Sequence, residues 1–135
     1  MNRVFVDTGA FYALAARDDR HHSEARRVLR RLARERRRMV TSTCVVDEAI
    51  TLLRYRLGHA PAVRWGEHLA KTSWCEVVEV DHAVRQAAWE IFVRHHGQEF
   101  SFTDCTSFAL MRSMGLGEVF AFDGDFRAAG FVEIA

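Results

Sequence analysis

Five short apolar runs set the frame of this chain: Val4-Phe5-Val6, Met39-Val40-Thr41, Trp74 to Val80, Val119 to Phe122 and Phe131 to Ile134. Each has the length of a strand, and a stretch of helical periodicity separates it from the next. Thr8 is placed to cap a small helix carrying Phe11, Tyr12 and Leu14. A second helix is expected over Ser23 to Arg38, with Ala25, Val28, Leu29 and Leu32 on one face and arginines over the rest. Further helices follow from about Thr43 to Leu57, ending at Gly58, and over Ala62 to Lys71, Asp81 to Gly97 and Ser101 to Met114. A short helix precedes the last strand. Strands that alternate with helices pair as parallel neighbours joined by crossovers. The predicted class is therefore α/β, a small parallel β-sheet flanked by helices in an α/β/α sandwich. With one proline, scattered glycines and no repeat or low-complexity stretch, residues 1–135 read as one domain.

Composition removes several classes of function. A hydrophobic fraction of 49% with 27% charged residues is that of a globular chain, not a disordered one. No apolar run approaches the roughly 20 residues that span a bilayer, so no membrane partner is expected. The basic start, Met1 to Arg3, leads into no signal-type apolar core. Cys44, Cys75 and Cys105 are an odd set without metal-type spacing, which fits a cytoplasmic, reducing setting. The net charge of +1 conceals a polarised distribution. Ten arginines and four acidic residues between Arg17 and Arg38 give that segment +6, and the rest of the chain carries −5. Such a molecule suits a polyanion at one place and a cation at another.

The acidic residues are placed for that second role. In a parallel sheet, ligands sit beyond the carboxyl ends of the strands. Asp7 and Asp123 each follow an apolar run directly, Asp104 lies in the first turn of a helix, and Glu48 lies on a helix after the second strand. Four carboxylates on four elements can meet at that rim, and they stay ionised together only if cations neutralise them. All-oxygen ligation selects hard ions such as Mg²⁺ or Mn²⁺. Each residue also has a structural reading. Ser101-Phe102-Thr103-Asp104 is a capping box, Asp7 and Asp123 suit turns, and Asp125 reads as a turn residue that could serve as an auxiliary ligand. Asp47 is adjacent to Glu48, and spacing alone does not choose between them.

Taken in order, these residues resemble the PIN-domain ribonucleases, in particular the VapC-type toxins. The opening strand with Asp and a hydroxyl residue is Val4-Phe5-Val6-Asp7-Thr8, and the helical Glu is in Val46-Asp47-Glu48-Ala49. The later helix opens Ser101-Phe102-Thr103-Asp104, and the closing pattern is Ala121-Phe122-Asp123-Gly124-Asp125-Phe126. The resemblance covers nearly the whole chain. It implies that Asp7, Glu48, Asp104 and Asp123 are catalytic and ligate Mg²⁺ or Mn²⁺, and that Thr8 and Thr103 are hydroxyls orienting those ligands. It also implies an endoribonuclease that hydrolyses RNA phosphodiester bonds, a homodimer, and a cognate VapB-type antitoxin that holds it inactive. A PIN nuclease of RNA maturation or decay and a catalytically inactive PIN-like binding module are the alternatives; the full set of carboxylates argues against the second.

Phe5-Val6-Asp7-Thr8-Gly9-Ala10 also resembles the way aspartic proteases present their catalytic Asp. Those enzymes need a largely β chain with two lobes, and the residues after Ala10 read as helix. A dehalogenase-type phosphatase would want a second Asp two residues after Asp7, where Gly9 stands. RNA must approach an acidic site, so basic groups are expected beside it. Arg30, Arg31 and Arg34 of the arginine-rich helix are the expected RNA contacts, through bidentate phosphate pairing. The opposing reading of that helix is a solvated amphipathic face. Among the aromatics, Phe100, Phe102 and Trp65 read as core with base stacking as the alternative, and Phe11, Tyr12, Trp65 and Trp89 exceed what one small core needs.

Overall fold

The computed structural model describes residues 2–135; Met1, the first residue of the expected domain, lies outside the described residues. The strands are β1 (Arg3–Val6), β2 (Arg38–Ser42), β3 (Cys75–Val78), β4 (Glu118–Phe120) and β5 (Val132–Glu133). All pair in parallel, in the order β3-β2-β1-β4-β5. Between them run α1 (Thr8–Ala15), α2 (His22–Arg34), α3 (Thr43–Leu57), α4 (His59–Lys71), α5 (His82–Arg94), α6 (Phe102–Met114) and α7 (Asp125–Ala128). This is the expected α/β sandwich, a parallel sheet under helices. α1 packs on α2 and α3, and α3 on α4, while α5 packs on α6 and α6 on α7. Right-handed crossovers put these two groups on opposite faces.

The chain steps outward from β1 twice, through β2 to β3, and then returns to the other side of β1 as β4. The crevice between the carboxyl ends of β1 and β4 is therefore the topological switch point. The backbone N–H of Asp7 donates to the Phe120 carbonyl (3.1 Å) and ties the two strand ends together there. Val4, Phe5 and Val6 are fully buried on the innermost strand. On one side of the sheet Phe11 meets Trp65 edge-on (ring centroids 5.2 Å). On the other, Phe108 joins Phe100 (4.9 Å) and Phe126 (5.1 Å). Phe100 and Trp65, read as core from the sequence, are parts of these two clusters. Phe102 is half-buried, with the Arg85 guanidinium over its ring, 5.3 Å from the centroid.

Local chemistry explains most element ends. The Ser42 hydroxyl accepts from the Val45 N–H to open α3, the Asp81 carboxylate accepts from the Val84 N–H to open α5, and Gly115, left-handed at φ 69°, closes α6. Four expectations shift. Asp7, not Thr8, occupies the cap position of α1, and Thr8 is the first helical residue. The arginine-rich helix stops at Arg34 rather than Arg38: Arg36 turns left-handed (φ 56°), the Arg37 guanidinium pairs with Glu118, and the Arg38 N–H donates to the Asn2 carbonyl (2.7 Å) to start β2. The fourth helix begins at His59, because Pro61 sits in its first turn, where a missing N–H costs nothing. The strand before Asp123 ends at Phe120, so Asp123 stands on the turn that follows and not at the strand end itself.

Candidate active site

Asp7 leaves β1 with extended backbone geometry and sits at the head of α1, yet its carboxylate makes no cap hydrogen bond. It is 4% exposed, and its pKa lies well above the ordinary carboxylate value. Burial is the largest cause, followed by the charges of Asp104 and Asp123; that of Glu48 adds to them, and the Thr8 N–H opposes them. An aspartate at this position usually spends its charge on the helix N–H groups. Here the charge is held back and buried among other acids.

Asp104 is the third residue of α6. Its N–H donates to the Ser101 hydroxyl (2.9 Å) and its carboxylate accepts from the Ser101 N–H (3.0 Å), the complete capping box read from the sequence. That clamp holds one oxygen and fixes the side chain while the residue is 8% exposed. Burial pushes its carboxyl up to about 6, with the Asp123 and Asp125 charges adding and the Ser101 hydrogen bonds opposing. Capping and ligation are therefore compatible here, since the cap orients the carboxylate that the cluster uses.

Glu48 is half-buried on α3, and its Oε1 accepts from the Thr8 hydroxyl at 2.6 Å. Asp47, its neighbour, is exposed. Of these two neighbours, Glu48 is the one bonded to the residue beside Asp7. Asp123 and Asp125 flank Gly124, whose φ of 84° suits glycine, and the Asp125 N–H donates to Asp123 Oδ1 (3.0 Å). This tight turn brings the two carboxylates back towards α6: oxygens of Asp104, Asp123 and Asp125 all lie within 4.8 Å of one another. Asp125, expected as a turn residue, is instead the first residue of α7 and a member of the cluster. Its carboxyl is raised by burial and by the charges of Asp123, Glu133 and Glu99, and a hydrogen bond with Asp104 opposes the rise. The sequence signal was the two-residue spacing across a glycine that adopts a left-handed turn.

Two other expectations land elsewhere. The Thr103 hydroxyl reaches none of these carboxylates among the described residues, and its carbonyl accepts from the Thr106 hydroxyl (2.6 Å). Arg30, Arg31 and Arg34 lie in the second half of α2, which runs back towards the amino ends of the strands. They are away from the acidic rim, and Arg31 pairs with Glu35 (3.8 Å) at the surface. The start of α2 lies nearer: the His21 ring stacks on Phe122, the residue before Asp123, at 4.4 Å between centroids.

None of the five carboxylates takes part in an ion pair among the described residues. Asp7 and Asp104 are buried, Glu48 and Asp125 half-buried and Asp123 exposed. A partly buried acidic cluster with no ion-pair partner among the described residues, all of its donors oxygen, has the chemistry of a site for a hard divalent ion.

The PIN domain family profile matches residues 4–132. This chain belongs to the PIN-domain family. The domain is 42% identical over 134 residues, 97% of each chain, to the 23S rRNA-specific endonuclease VapC20 of Mycobacterium tuberculosis. It is 25% identical over 125 residues, 91% of this chain and 78% of the other, to a VapC ribonuclease of Archaeoglobus fulgidus. The crystal structure of the M. tuberculosis VapC20, a sarcin-ricin loop cleaving toxin, matches with a TM-score of 0.89 at 40% identity, covering 97% of this chain and 98% of that one. VapBC2 from Rickettsia felis, bound to a DNA fragment from their promoter, shares the fold of this PIN domain at 10% identity, with a TM-score of 0.72.

Proposed function

We propose that this PIN domain cuts ribosomal RNA of the large subunit by divalent-ion-assisted hydrolysis at the Asp7–Glu48–Asp104–Asp123 rim, with Asp125 as a fifth carboxylate. The protein is a VapC-type endoribonuclease of a toxin–antitoxin pair. The proposal adds the site, the ion and the target. The observation that carries it is the convergence of carboxylates at the switch point, Asp7 and Asp104 buried among them and none in an ion pair among the described residues, in a chain 42% identical to a 23S rRNA-specific endonuclease.

Asp7, Asp104, Asp123 and Asp125 would hold Mg²⁺ or Mn²⁺, and Glu48 would complete the set. A bound ion supplies Lewis-acid polarisation of the scissile phosphoryl group and a lowered pKa for water. The protein contributes fixed geometry. The Ser101 box immobilises Asp104, and the Thr8 hydroxyl immobilises Glu48. The Asp7 N–H locks the head of α1 to β4. Side chains set in place before substrate arrives need no reorganisation during the reaction.

The partners follow from two surfaces. A groove of about 470 Å³ between α1, α2 and α4 has a floor of Phe11, Leu29, Trp65 and Trp74 and a rim that includes Arg17 and Arg26. An amphipathic, acidic antitoxin segment fits that chemistry. On α5, Trp89 and Val93 are 55% and 56% exposed and Phe92 stacks on Trp89, an apolar stripe suited to a homodimer seam. Among the described residues, no helix is long and apolar enough to cross a membrane. We place the protein in the cytoplasm, where ribosomes are.

The test is cleavage of intact ribosomes and total RNA by antitoxin-free protein with Mg²⁺, with Mn²⁺ and with EDTA, the ends being mapped by primer extension. A single metal-dependent cut in the sarcin–ricin loop of 23S rRNA is expected. Cuts confined to other RNAs would overturn the target, and cutting in EDTA would overturn the role of the ion.

A further inference from the structure

Resting on the nuclease reading above, we propose that Arg127 anchors an RNA phosphate at the edge of the acidic pit, and that Glu133 keeps it there. Arg127 lies on α7, two residues after Asp125, and its side chain folds back over the turn that carries Asp123 and Asp125. A methyl group on Gly124 would meet Arg127 Nη2 at 3.1 Å, so the glycine serves two needs, its φ of 84° and room for the guanidinium. Nη1 donates to Glu133 Oε1 at 2.7 Å.

The asymmetry of this pair is what points to a ligand. The Glu133 side chain is 2% exposed and that of Arg127 is 66% exposed. Glu133 Oε2 is buried without a hydrogen-bond partner. An ion pair built for stability would use both carboxylate oxygens against the guanidinium fork. Here one contact holds the arginine, and most of its five N–H donors stay free. The guanidinium also forms no ion pair with Asp123 or Asp125, though it lies against their turn. Glu133 thus stops it from collapsing into the pit and neutralising the carboxylates that an ion needs. The result is a fixed cation beside, but not within, an acidic cluster. A phosphodiester approaching five carboxylates needs such a counter-charge, and a planar arginine already immobilised loses little freedom on accepting it.

The experiment uses a hairpin RNA with the sarcin–ricin loop sequence and measures cleavage by the intact protein, with binding followed in an Asp7→Asn background. In Arg127→Gln, KM should rise about tenfold with kcat nearly unchanged, because the contact is made in ground and transition states alike. The slope of log binding constant against log salt should fall by roughly 0.7 to 0.9, one phosphate contact. Mn²⁺ affinity, read from the thermal shift with the ion alone, should not weaken. Glu133→Gln should release the arginine towards Asp123 and Asp125 and weaken Mn²⁺ binding, and the double variant should restore it. An unchanged KM and salt slope in Arg127→Gln, beside a wild type that cuts the hairpin, would overturn the anchor and leave the nuclease standing. A loss confined to melting temperature would do the same. A wild type that cuts neither the hairpin nor ribosomes would overturn the nuclease reading and the anchor with it.

Discussion

At the carboxyl ends of the strands, five carboxylates from four segments converge, and none is in an ion pair among the described residues. At the amino ends, the arginines of late α2 and early β2 spread along a surface, where Arg31 pairs with Glu35 and Arg37 with Glu118. The two regions contain similar numbers of charges and use them oppositely. Convergent and unpaired charge costs stability and is worth keeping only where a ligand supplies the counter-charge. Dispersed charge, screened by water and salt, costs little and contributes little.

The sharpest way to break this comparison is Asp7→Asn. It removes the most deeply buried charge of the acidic cluster with almost no change of volume. Cleavage should fall about a thousandfold, the equivalent of roughly 4 kcal/mol of barrier, while circular dichroism stays native. Retained activity would dissociate the cluster from the chemistry.

Next in size is the ion itself. Added Mn²⁺ or Mg²⁺ should raise the melting temperature, and Asp104→Asn should lose most of that gain, since an amide oxygen can still serve the capping box but carries no charge. Equal shifts in both proteins would remove Asp104 from the site.

Acid should then act on the two ends differently. Asp7 and Asp104 have folded pKa values above their unfolded ones, so their contribution to stability is fully present below the unfolded value, near 4, and is lost as pH rises through the folded one, which for Asp104 is about 6. In EDTA the protein should melt higher at pH 5 than at pH 8, with Asp104 contributing on the order of 2 kcal/mol and Asp7 adding in the same direction. Calorimetry at the two pH values checks the sign, and saturating Mn²⁺ should reduce the difference.

The smallest effect belongs to the other end. We expect Arg30, Arg31 and Arg34 to touch only an RNA long enough to pass around the domain, because α2 carries them up to about 20 Å from its start at 1.5 Å per residue. Their conversion to Gln should flatten the salt dependence of ribosome binding and leave hairpin cleavage within about threefold. An unchanged slope on ribosomes would assign that end to solvent or to the antitoxin.

These results also show what was legible in the sequence. Alternating apolar runs and amphipathic helices were enough for the parallel sheet, because strand length and helical period are local. The end of α2 was not, since arginine is a good helix former and what stops the helix at Arg34 is tertiary: Arg37 reaches Glu118, and Arg38 joins β1. The order of acids along the chain located the pit, but Asp125 was obscured because a turn residue and a ligand look alike until Gly124 aims the carboxylates. Arg127 gave no signal, since its partner Glu133 lies on a different element, β5. Thr8 next to Asp7 was readable as a hydroxyl near the acidic cluster, whereas its bond to Glu48 spans 40 residues.

The central place of β1 has a kinetic meaning as well. Asp7 leaves a fully buried strand hydrogen-bonded on both sides, whereas Asp123 and Asp125 leave β4 for an exposed turn and the two-residue strand β5. Amide hydrogen exchange should be slowest through Val4 to Val6, reporting global opening, and much faster around Gly124, through local fraying. One wall of the pit would then be as durable as the domain itself. The other would open and close many times within the lifetime of the folded state, giving the proposed ion or nucleotide a way in that unfolds nothing else.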